Sequence, residues 1–252
     1  MKKVSTIVAL LLLPSQVLLA QNEFEYKKTA SASGVKKGTV TLDVSAGVLE
    51  VKADATTSLV ETQVQYSKAD WLPVFSSNNS KTAPEISFSQ KEMSDNSSKN
   101  TKNEWKVNLS KNTLLDLKIK MGAGETKLNL QDSHINTLTL DAGAVSSNID
   151  LRGSKLKNLT VNAGVGELNL DLRGNWDHDV EVDVTGGIGD VKFRLPKNTG
   201  VRLKSSGLGS RNMASLQKEG DTYVNAALGK SKHVININVS GGLGSVTVLQ
   251  DE

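Results

Sequence analysis

Two pairs of oppositely charged residues recur 21 residues apart and have the clearest potential for chemistry. Asp150 precedes Arg152 by two positions, and Asp171 precedes Arg173 in the same way. Two carboxylates on neighbouring coils of a β-helix could serve as the acid and base of a polysaccharide-cleaving enzyme. Since each carboxylate has its own arginine, the four residues fit an exposed ladder of salt bridges better. Either arrangement places them on the face opposite the apolar residues that alternate with them.

Three histidines, His134, His178 and His233, are the candidates for imidazole chemistry. His134 and His178 fall in or beside polar turns that also contain aspartates. A metal site would need them to converge, but their positions within the 21-residue period differ by two residues, so we expect solvated turn histidines. The chain has no cysteine, which excludes thiol catalysis and thiolate metal ligands. No Ser–His–Asp constellation can be assembled from local sequence, and we predict no catalytic, cofactor-binding or metal-ligating residues.

Paired glycines recur along the chain and could, in another context, hold a phosphate group. A phosphate-binding loop requires the glycines to open a helix, whose N-terminus holds the anion. Here each pair precedes a strand pattern, so we expect corner turns at positive φ. Gly186–Asp190 resembles a calcium-binding glycine-aspartate nonapeptide, but its aspartate falls one position early and no nine-residue period accompanies it, which favours a turn. The pairs are Gly122/Gly124, Gly164/Gly166, Gly187/Gly189, Gly207/Gly209 and Gly242/Gly244.

A strict period of 21 residues must position all of these side chains. Apolar residues occur in pairs two positions apart, which is typical of a strand that presents one face to a core. Two separate series of such pairs repeat along the chain every 21 residues. The period predicts stacked coils, each of which supplies backbone hydrogen-bond partners to the next. An antiparallel sandwich is the competing fold, but it does not require a constant step. The pairs are Leu117/Ile119, Leu138/Leu140, Leu159/Val161, Val180/Val182 and Val201/Leu203 in one series, and Val107/Leu109, Leu128/Leu130, Ile149/Leu151, Leu170/Leu172 and Val191/Phe193 in the other.

We therefore predict an all-β fold, a parallel β-helix-like solenoid with coils of about 21 residues, preceded by N-terminal strands and a long polar loop. Residues 38–252 are expected to form a single domain. Within it, residues 76–104 are rich in Ser, Asn, Lys and Thr and predict an exposed insertion with a possible short strand at 86–88. Residues 105–203 contain the most regular coils.

The first 20 residues have the pattern of a secretory signal peptide. Lys2 and Lys3 form the charged start, an apolar run follows, and Ala20 ends a plausible cleavage site. An uncleaved membrane anchor is the alternative, but the run is short and interrupted by Pro14. Residues 21–37 are then expected to be a flexible lead. We predict an exported protein, periplasmic or extracellular at the cell surface, with no transmembrane segment in the mature chain.

The charge balance argues against nucleic acid as a partner. Removal of residues 1–20 takes away two lysines and no acidic residue, which leaves 28 basic and 27 acidic residues and a net charge of +1. Nucleic-acid binding normally requires a strongly basic surface. Aromatic residues are only 4% of the composition, which leaves little material for stacking on sugars. Trp176, at a polar turn, either contacts a partner or packs against a neighbouring loop.

The glycine and leucine pattern resembles a known family. The segments at 122–130, 138–144, 162–170 and 192–201 resemble the toast-rack domain of bacterial envelope proteins and the related C-terminal domain of LiaF-like proteins, which are linked to the response to cell-wall-active antibiotics. The likeness covers most of residues 38–249. It implies an envelope module with a β fold and provides no catalytic residues to carry over. LiaF-like proteins have transmembrane helices ahead of this domain, whereas this chain has a signal-like segment.

Three functional hypotheses follow from these observations. The first is a non-enzymatic interaction module that binds an envelope protein or glycan through a long flat face. The second is a polysaccharide-active enzyme on a β-helix, with Asp150 and Asp171 as its carboxylates. The third is a regulator of the envelope stress response, which rests on the resemblance alone.

Overall fold

The computed structural model describes residues 23–90, 101–213 and 215–249 and shows an almost entirely β structure. The segment at 1–20 lies outside the described residues. Apart from a 3-10 turn at Ala69–Trp71, the regular elements are strands. They are β1 (Phe24–Ser31), β2 (Lys37–Asp54), β3 (Ser58–Tyr66), β4 (Val74–Ser77), β5 (Glu85–Ser89), β6 (Asn103–Ser110), β7 (Leu114–Asn129), β8 (Ile135–Asp150), β9 (Asn158–Asp171), β10 (Val180–Arg194), β11 (Gly200–Asn212), β12 (Gln217–Glu219), β13 (Thr222–Val224) and β14 (Val234–Leu249).

Each long strand consists of two legs joined by a glycine corner. In β7, Gly122 and Gly124 divide a first leg from a second leg, and buried residues alternate with exposed ones in both. Gly124 has φ +121°, a conformation that L-residues with a side chain rarely adopt. A Cβ on either glycine would also collide with a carbonyl oxygen of β2, the neighbouring coil. The corner therefore turns the chain while the coils stay in contact, as predicted. The predicted positive φ holds for Gly124 but is wrong for Gly122, where the close approach of the neighbouring coil requires glycine instead.

The predicted 21-residue step is confirmed for the central coils. In the parallel ladder of β7, β8 and β9, Leu128 lies opposite Ile149, and Ile149 lies opposite Leu170. Equivalent residues of successive coils therefore stack in columns, and neighbours within a column lie about 4.8 Å apart. The two legs enclose one continuous apolar core, to which all of these columns contribute.

The step becomes 23 residues at the next coil. Leu159 lies opposite Val182, not Val180, and Leu170 lies opposite Phe193. The predicted alignment of Val180 with Leu159 is thus wrong by two residues. The turn between β9 and β10, which contains Trp176, accommodates the two additional residues.

The stacking order also departs from chain order at both ends. β14 lies between β10 and β11, so Val180 and Val201 both pair with Ile235 instead of following one another. Similarly, β2 lies between β6 and β7, and Val51 separates Val107 from Leu128. The coils therefore stack in the order β5 with β6, then β2, β7, β8, β9, β10, β14 and β11.

The N-terminal end of the stack is covered by antiparallel strands. β1 pairs with β3, and β3 pairs with β6. Phe24 stacks on Tyr66 with ring centroids 5.4 Å apart, which anchors β1. The expectation of a flexible lead over 21–37 therefore does not hold for Phe24–Ser31, because cross-strand hydrogen bonds and this ring contact order it.

The segment at 76–104 is only partly an exposed insertion. Its predicted short strand is present as β5, which pairs with the first leg of β2 and buries Ile86 and Phe88. β5 and β6 together form the first coil of the stack, and residues 91–100 between them lie outside the described residues. No helix within the described residues is long and apolar enough to cross a membrane.

Candidate functional site

The second legs together form a shallow polar trough that carries charged side chains. It has an empty volume of about 1350 Å³. Its polar side chains point outward, because the apolar residues that alternate with them along each strand, among them Val51, Leu128 and Leu170, point into the core. We call this surface the second-leg trough, and its polar lining residues are Glu50, Lys52, Lys127, Asn129, Asn148, Asp150, Asn169, Asp171, Lys192 and Arg194.

The predicted ladder of carboxylates and arginines lies at one border of this trough. Arg152 donates to Asp150 through Nε at 2.9 Å and Nη2 at 2.6 Å. Arg173 donates to Asp171 in the same bidentate way, at 3.0 and 2.7 Å. Arg152 Nε also lies 3.7 Å from Asp171 Oδ2 and links the two coils. The four residues therefore form the salt-bridge ladder that their spacing favoured.

The electrostatics of the ladder keep the Asp171 carboxylate ionised. Partial burial raises the pKa of Asp171, but the side-chain and backbone hydrogen bonds from Arg173 and the charges of Arg173 and Arg152 outweigh it. The net pKa of Asp171 lies below its ordinary value. A general acid in glycoside cleavage needs the opposite shift, so that its carboxyl holds a proton near neutral pH.

The remaining trough residues form columns of hydrogen-bonding groups. Lys192 Nζ lies 2.6 Å from Glu167 Oε1, which lowers the pKa of Glu167 and raises that of Lys192. Asn169 donates to the Asn148 side chain at 2.9 Å. Amide, ammonium and carboxylate groups thus repeat from coil to coil, and the pattern offers both donors and acceptors to a polar ligand.

Asp190, the acid of the glycine-aspartate segment, bonds to the neighbouring coil. Its Oδ1 accepts from Ser245 Oγ at 2.6 Å and from the Ser245 backbone at 3.2 Å. The hydrogen bond from the Ser245 hydroxyl is the main cause that lowers the pKa of Asp190. The segment that contains it forms the corner of β10, as expected for a turn.

The three histidines lie in separate local contacts. His134 Nδ1 lies 3.0 Å from the Asn112 carbonyl oxygen, and His233 Nδ1 lies 3.5 Å from Asp179. His178 contacts the Leu156 carbonyl oxygen through Nε2 at 2.6 Å. Within the described residues, no group of three or more His, Asp or Glu side chains is placed to hold a metal ion.

Lys155, Asp177 and His178 form a cluster that sequence reasoning missed. Asp177 binds Lys155 at 2.6 Å and His178 at 2.7 Å, and these contacts, with Lys155 the larger cause, hold the pKa of Asp177 far below its usual range. Lys155 and Asp177 are 22 residues apart, close to one period, which is the signal that could have found them. Trp176 is only 7% exposed and donates to the Leu172 carbonyl oxygen at 2.8 Å, so it packs within the protein.

A second concavity lies under the corners of the later coils, with an empty volume of about 690 Å³. The cleft forms because the inward-pointing side chains beside the corner become smaller along the stack. The column of these residues reads Val44, Met121, Ala142, Ala163, Gly186, Gly241 and Gly207. The cleft is lined mainly by aliphatic residues and glycines, and it extends to Leu208 and Arg211 in the last coil.

Comparison with known proteins identifies relatives of this architecture. The family described as the N-terminal domain of toast_rack, DUF2154, matches residues 19–155 and 136–194. No protein of curated function matches the chain.

Solved structures from several bacteria match the chain to different degrees. A protein of Clostridium sporogenes described as a "putative cell adhesion protein" is 26% identical, with a TM-score of 0.68 over 91% of this chain and 100% of its own. A "putative adhesin" of Bacteroides fragilis is 9% identical, with a TM-score of 0.34 over 91% of this chain and 98% of its own. A "putative lipid binding protein" of Parabacteroides distasonis is 10% identical, with a TM-score of 0.29 over 92% of this chain and 98% of its own.

Proposed function

Because the chain belongs to the toast-rack family, we propose that it is an exported, non-enzymatic β-solenoid module that binds an envelope component, a glycan or a protein, through the second-leg trough. The observation that carries this proposal is the repetition of polar groups along the trough over successive coils. The description of the similar Clostridium sporogenes protein as a cell adhesion protein supports a binding role.

The chemistry of the trough suits an extended polar ligand. Lys127 and Lys192 lie in the same outward column as Asn148 and Asn169, so ammonium and amide groups share one line along the stack axis. A polymer that lies along this axis would meet a hydrogen-bonding group at each coil, about every 4.8 Å. Many weak contacts of this kind add up to useful affinity because the rigid stack holds them in place before binding.

Binding of the mature chain to isolated cell-wall sacculi and to washed envelope membranes tests this proposal. The double variant Lys127→Glu/Lys192→Glu reverses two trough charges, and Lys118→Glu/Lys120→Glu makes the same charge change on the exposed outer face of the first leg. We expect the trough variant to bind roughly tenfold more weakly and the first-leg control to bind as the wild type does. Binding to neither fraction, or equal loss in both variants, would contradict the proposal.

A polysaccharide-active enzyme remains the alternative function, and it makes a different prediction. It requires Asp150 or Asp171 to act as an acid, although both are held by arginines. If purified protein released sugars from cell-wall polysaccharide, and if Asp150→Asn or Asp171→Asn abolished that release without loss of folding, the enzyme hypothesis would replace ours.

We also propose a role in the envelope stress response, which the likeness to LiaF-like proteins supports. Deletion of the gene should then change the sensitivity of the cell to antibiotics that act on the cell wall. An unchanged sensitivity profile would count against this role without affecting the binding proposal.

A further inference from the structure

The last coil of the stack leaves half of its edge open. β11 pairs with β14 along residues 200–212, but on its other side β13 covers only Arg202–Lys204. Among the residues that the structure describes, the edge over residues 205–212 has no further strand beside it. At the opposite end of the stack, β3 and β1 continue the sheet beyond β6, and β1 is the outermost strand there.

The most exposed large apolar side chain of the described residues stands on this edge. Leu208 is 75% exposed and lies at the corner of the last coil. It belongs to the column of corner residues Ala46, Ala123, Ala144, Val165, Ile188, Leu243 and Leu208. Val165 and Ile188 are also more than half exposed.

Leu208 receives no packing from its neighbours in sequence. Gly207 and Gly209 flank it, so the adjacent positions offer no side chain against which it could pack. Outward columns elsewhere on the second legs carry mostly polar residues. Because single exposed aliphatic residues are common on protein surfaces, Leu208 bears on partner binding through its place beside the open backbone edge.

This end of the stack is strongly basic. Residues 195–233 contain seven Lys and Arg residues but only Glu219 and Asp221 as acids, a net charge of +5, while the chain without residues 1–20 has a net charge of +1. Asp221 is already paired with Lys204 at 2.7 Å. Lys204 lies on the part of β11 that β13 covers, so Arg211 is the cation that stands on the open edge beside Leu208.

Arg211 stands at the open edge of the last coil and is exposed. It lies opposite Val246, in an inward column, and it donates to Ser205 Oγ at 3.2 Å and to the Gly207 carbonyl oxygen at 2.8 Å. A strand added beyond β11 would cover this guanidinium and could supply a carboxylate to it. Such a pair would be stronger than the hydrogen bonds to uncharged acceptors that Arg211 now makes.

We propose that the edge over residues 205–212 binds an extended acidic segment of a partner protein by strand addition, with an apolar partner residue placed over Leu208. A strand supplies the backbone donors and acceptors that the open edge lacks. The hydrocarbon of a lipid surface supplies no hydrogen-bond donors or acceptors, so a membrane satisfies this edge less well than a peptide strand does. A second copy joined edge to edge would bring two ends of charge +5 together, so like-charge repulsion disfavours it.

The test uses the full mature chain and three synthetic ten-residue peptides. One alternates Asp and Glu with Val and Leu, the second replaces the acids with Lys, and the third is the acidic peptide with alternate backbone nitrogens methylated. Only the first can both pair with the edge and complement its charge. We expect it alone to bind, and to slow hydrogen exchange of amides within 205–212 by roughly tenfold or more.

Two exposed substitutions locate the site. Leu208→Ser and Arg211→Glu should each weaken binding of the acidic peptide roughly three- to tenfold. Ile188→Ser is the matched control, because Ile188 has the same glycine-flanked corner position two coils away from the edge and should leave binding unchanged. Unaltered thermal unfolding of each variant confirms that the fold is retained.

Several results would overturn the proposal. Equal binding of the methylated peptide would exclude strand addition, and equal binding of the lysine peptide would exclude charge complementarity. Failure of every peptide to bind would also refute it. Leu208-dependent cosedimentation with phosphatidylglycerol vesicles, without binding of the acidic peptide, would assign the edge to a lipid surface. A concentration-dependent dimer lost on Leu208→Ser would assign it to a second copy.

Discussion

The corner glycines offer the sharpest test of how this stack is held together. At Gly124 two constraints coincide, because φ is +121° and an added Cβ would collide with the carbonyl oxygen of Gly47 in the next coil. The backbone conformation alone costs an alanine about 1–3 kcal/mol. Relief of the collision requires the two coils to separate locally, with the loss of one or two ladder hydrogen bonds at about 0.5–1.5 kcal/mol each. Gly124→Ala should therefore lower the free energy of unfolding by about 1.5–6 kcal/mol, or about 3–24 °C in Tm.

Two other glycines separate these contributions. Gly220 has φ +62° but open space around it, so Gly220→Ala should cost only about 1 kcal/mol. Gly186 has neither a positive φ nor a neighbour within 4 Å, and Gly186→Ala should be neutral or stabilising by up to about 1 kcal/mol. Thermal and denaturant unfolding followed by circular dichroism measures all three. If Gly124→Ala were no more destabilising than Gly220→Ala, close coil contact at the corner would not be a determinant of stability, and this reasoning would be refuted.

Two further substitutions probe the interior and the ladder between coils. Thr126 is fully buried and its hydroxyl has no hydrogen-bond partner within the described residues, so Thr126→Val should raise the free energy of unfolding by about 1 kcal/mol; a loss of stability would show that the hydroxyl is satisfied. Burial raises the pKa of Asp116, but hydrogen bonds from Asn136, Lys37 and Thr137 outweigh it and the folded pKa is lowered. Its contribution is therefore present above the unfolded pKa and lost as pH falls through the folded pKa, so Asp116→Asn should cost about 1 kcal/mol at neutral pH and progressively less below about pH 4. A cost that stays constant down to about pH 2 in denaturant titrations would contradict this assignment.

The central coils could be predicted from the sequence because nothing intervenes between them. Leu128, Ile149 and Leu170 follow one another at a constant step, and their polar neighbours follow the same step. For the same reason the ladder of Asp150 and Asp171 with their arginines could be recognised from residue spacing alone.

The slip to 23 residues at β10 could not be detected in this way. Successive side chains of a strand point to opposite faces, so a shift of two residues leaves each apolar residue on the inner face. Val180 and Val182 are both buried and fit the pattern equally well. Only the contents of the turn before β10, where Trp176 packs inward, determine which of them lies opposite Leu159.

The order of the outer coils could not be predicted from the sequence period for a different reason. Every coil presents a similar column pattern, so Ile235 is as suitable a neighbour for Val180 as Val201 is. The insertion of β14 depends on long-range closure of the chain, which local spacing does not encode. The open edge at Leu208 results from that order, so it could not be predicted from the sequence either.

Disulfide trapping tests the stacking order most directly, and the absence of native cysteine makes each introduced pair unique. Thr185 and Ser240 are exposed neighbours on β10 and β14, with hydroxyl oxygens 3.3 Å apart, within reach of a disulfide after substitution by cysteine. Ser206 follows Thr185 by one 21-residue period but lies two coils away, about 9.6 Å, which is too far. We predict that Thr185→Cys with Ser240→Cys forms the bond under mild oxidation and that Thr185→Cys with Ser206→Cys does not. The reverse result would mean that the coils stack in chain order, and the open edge of β11 would not exist.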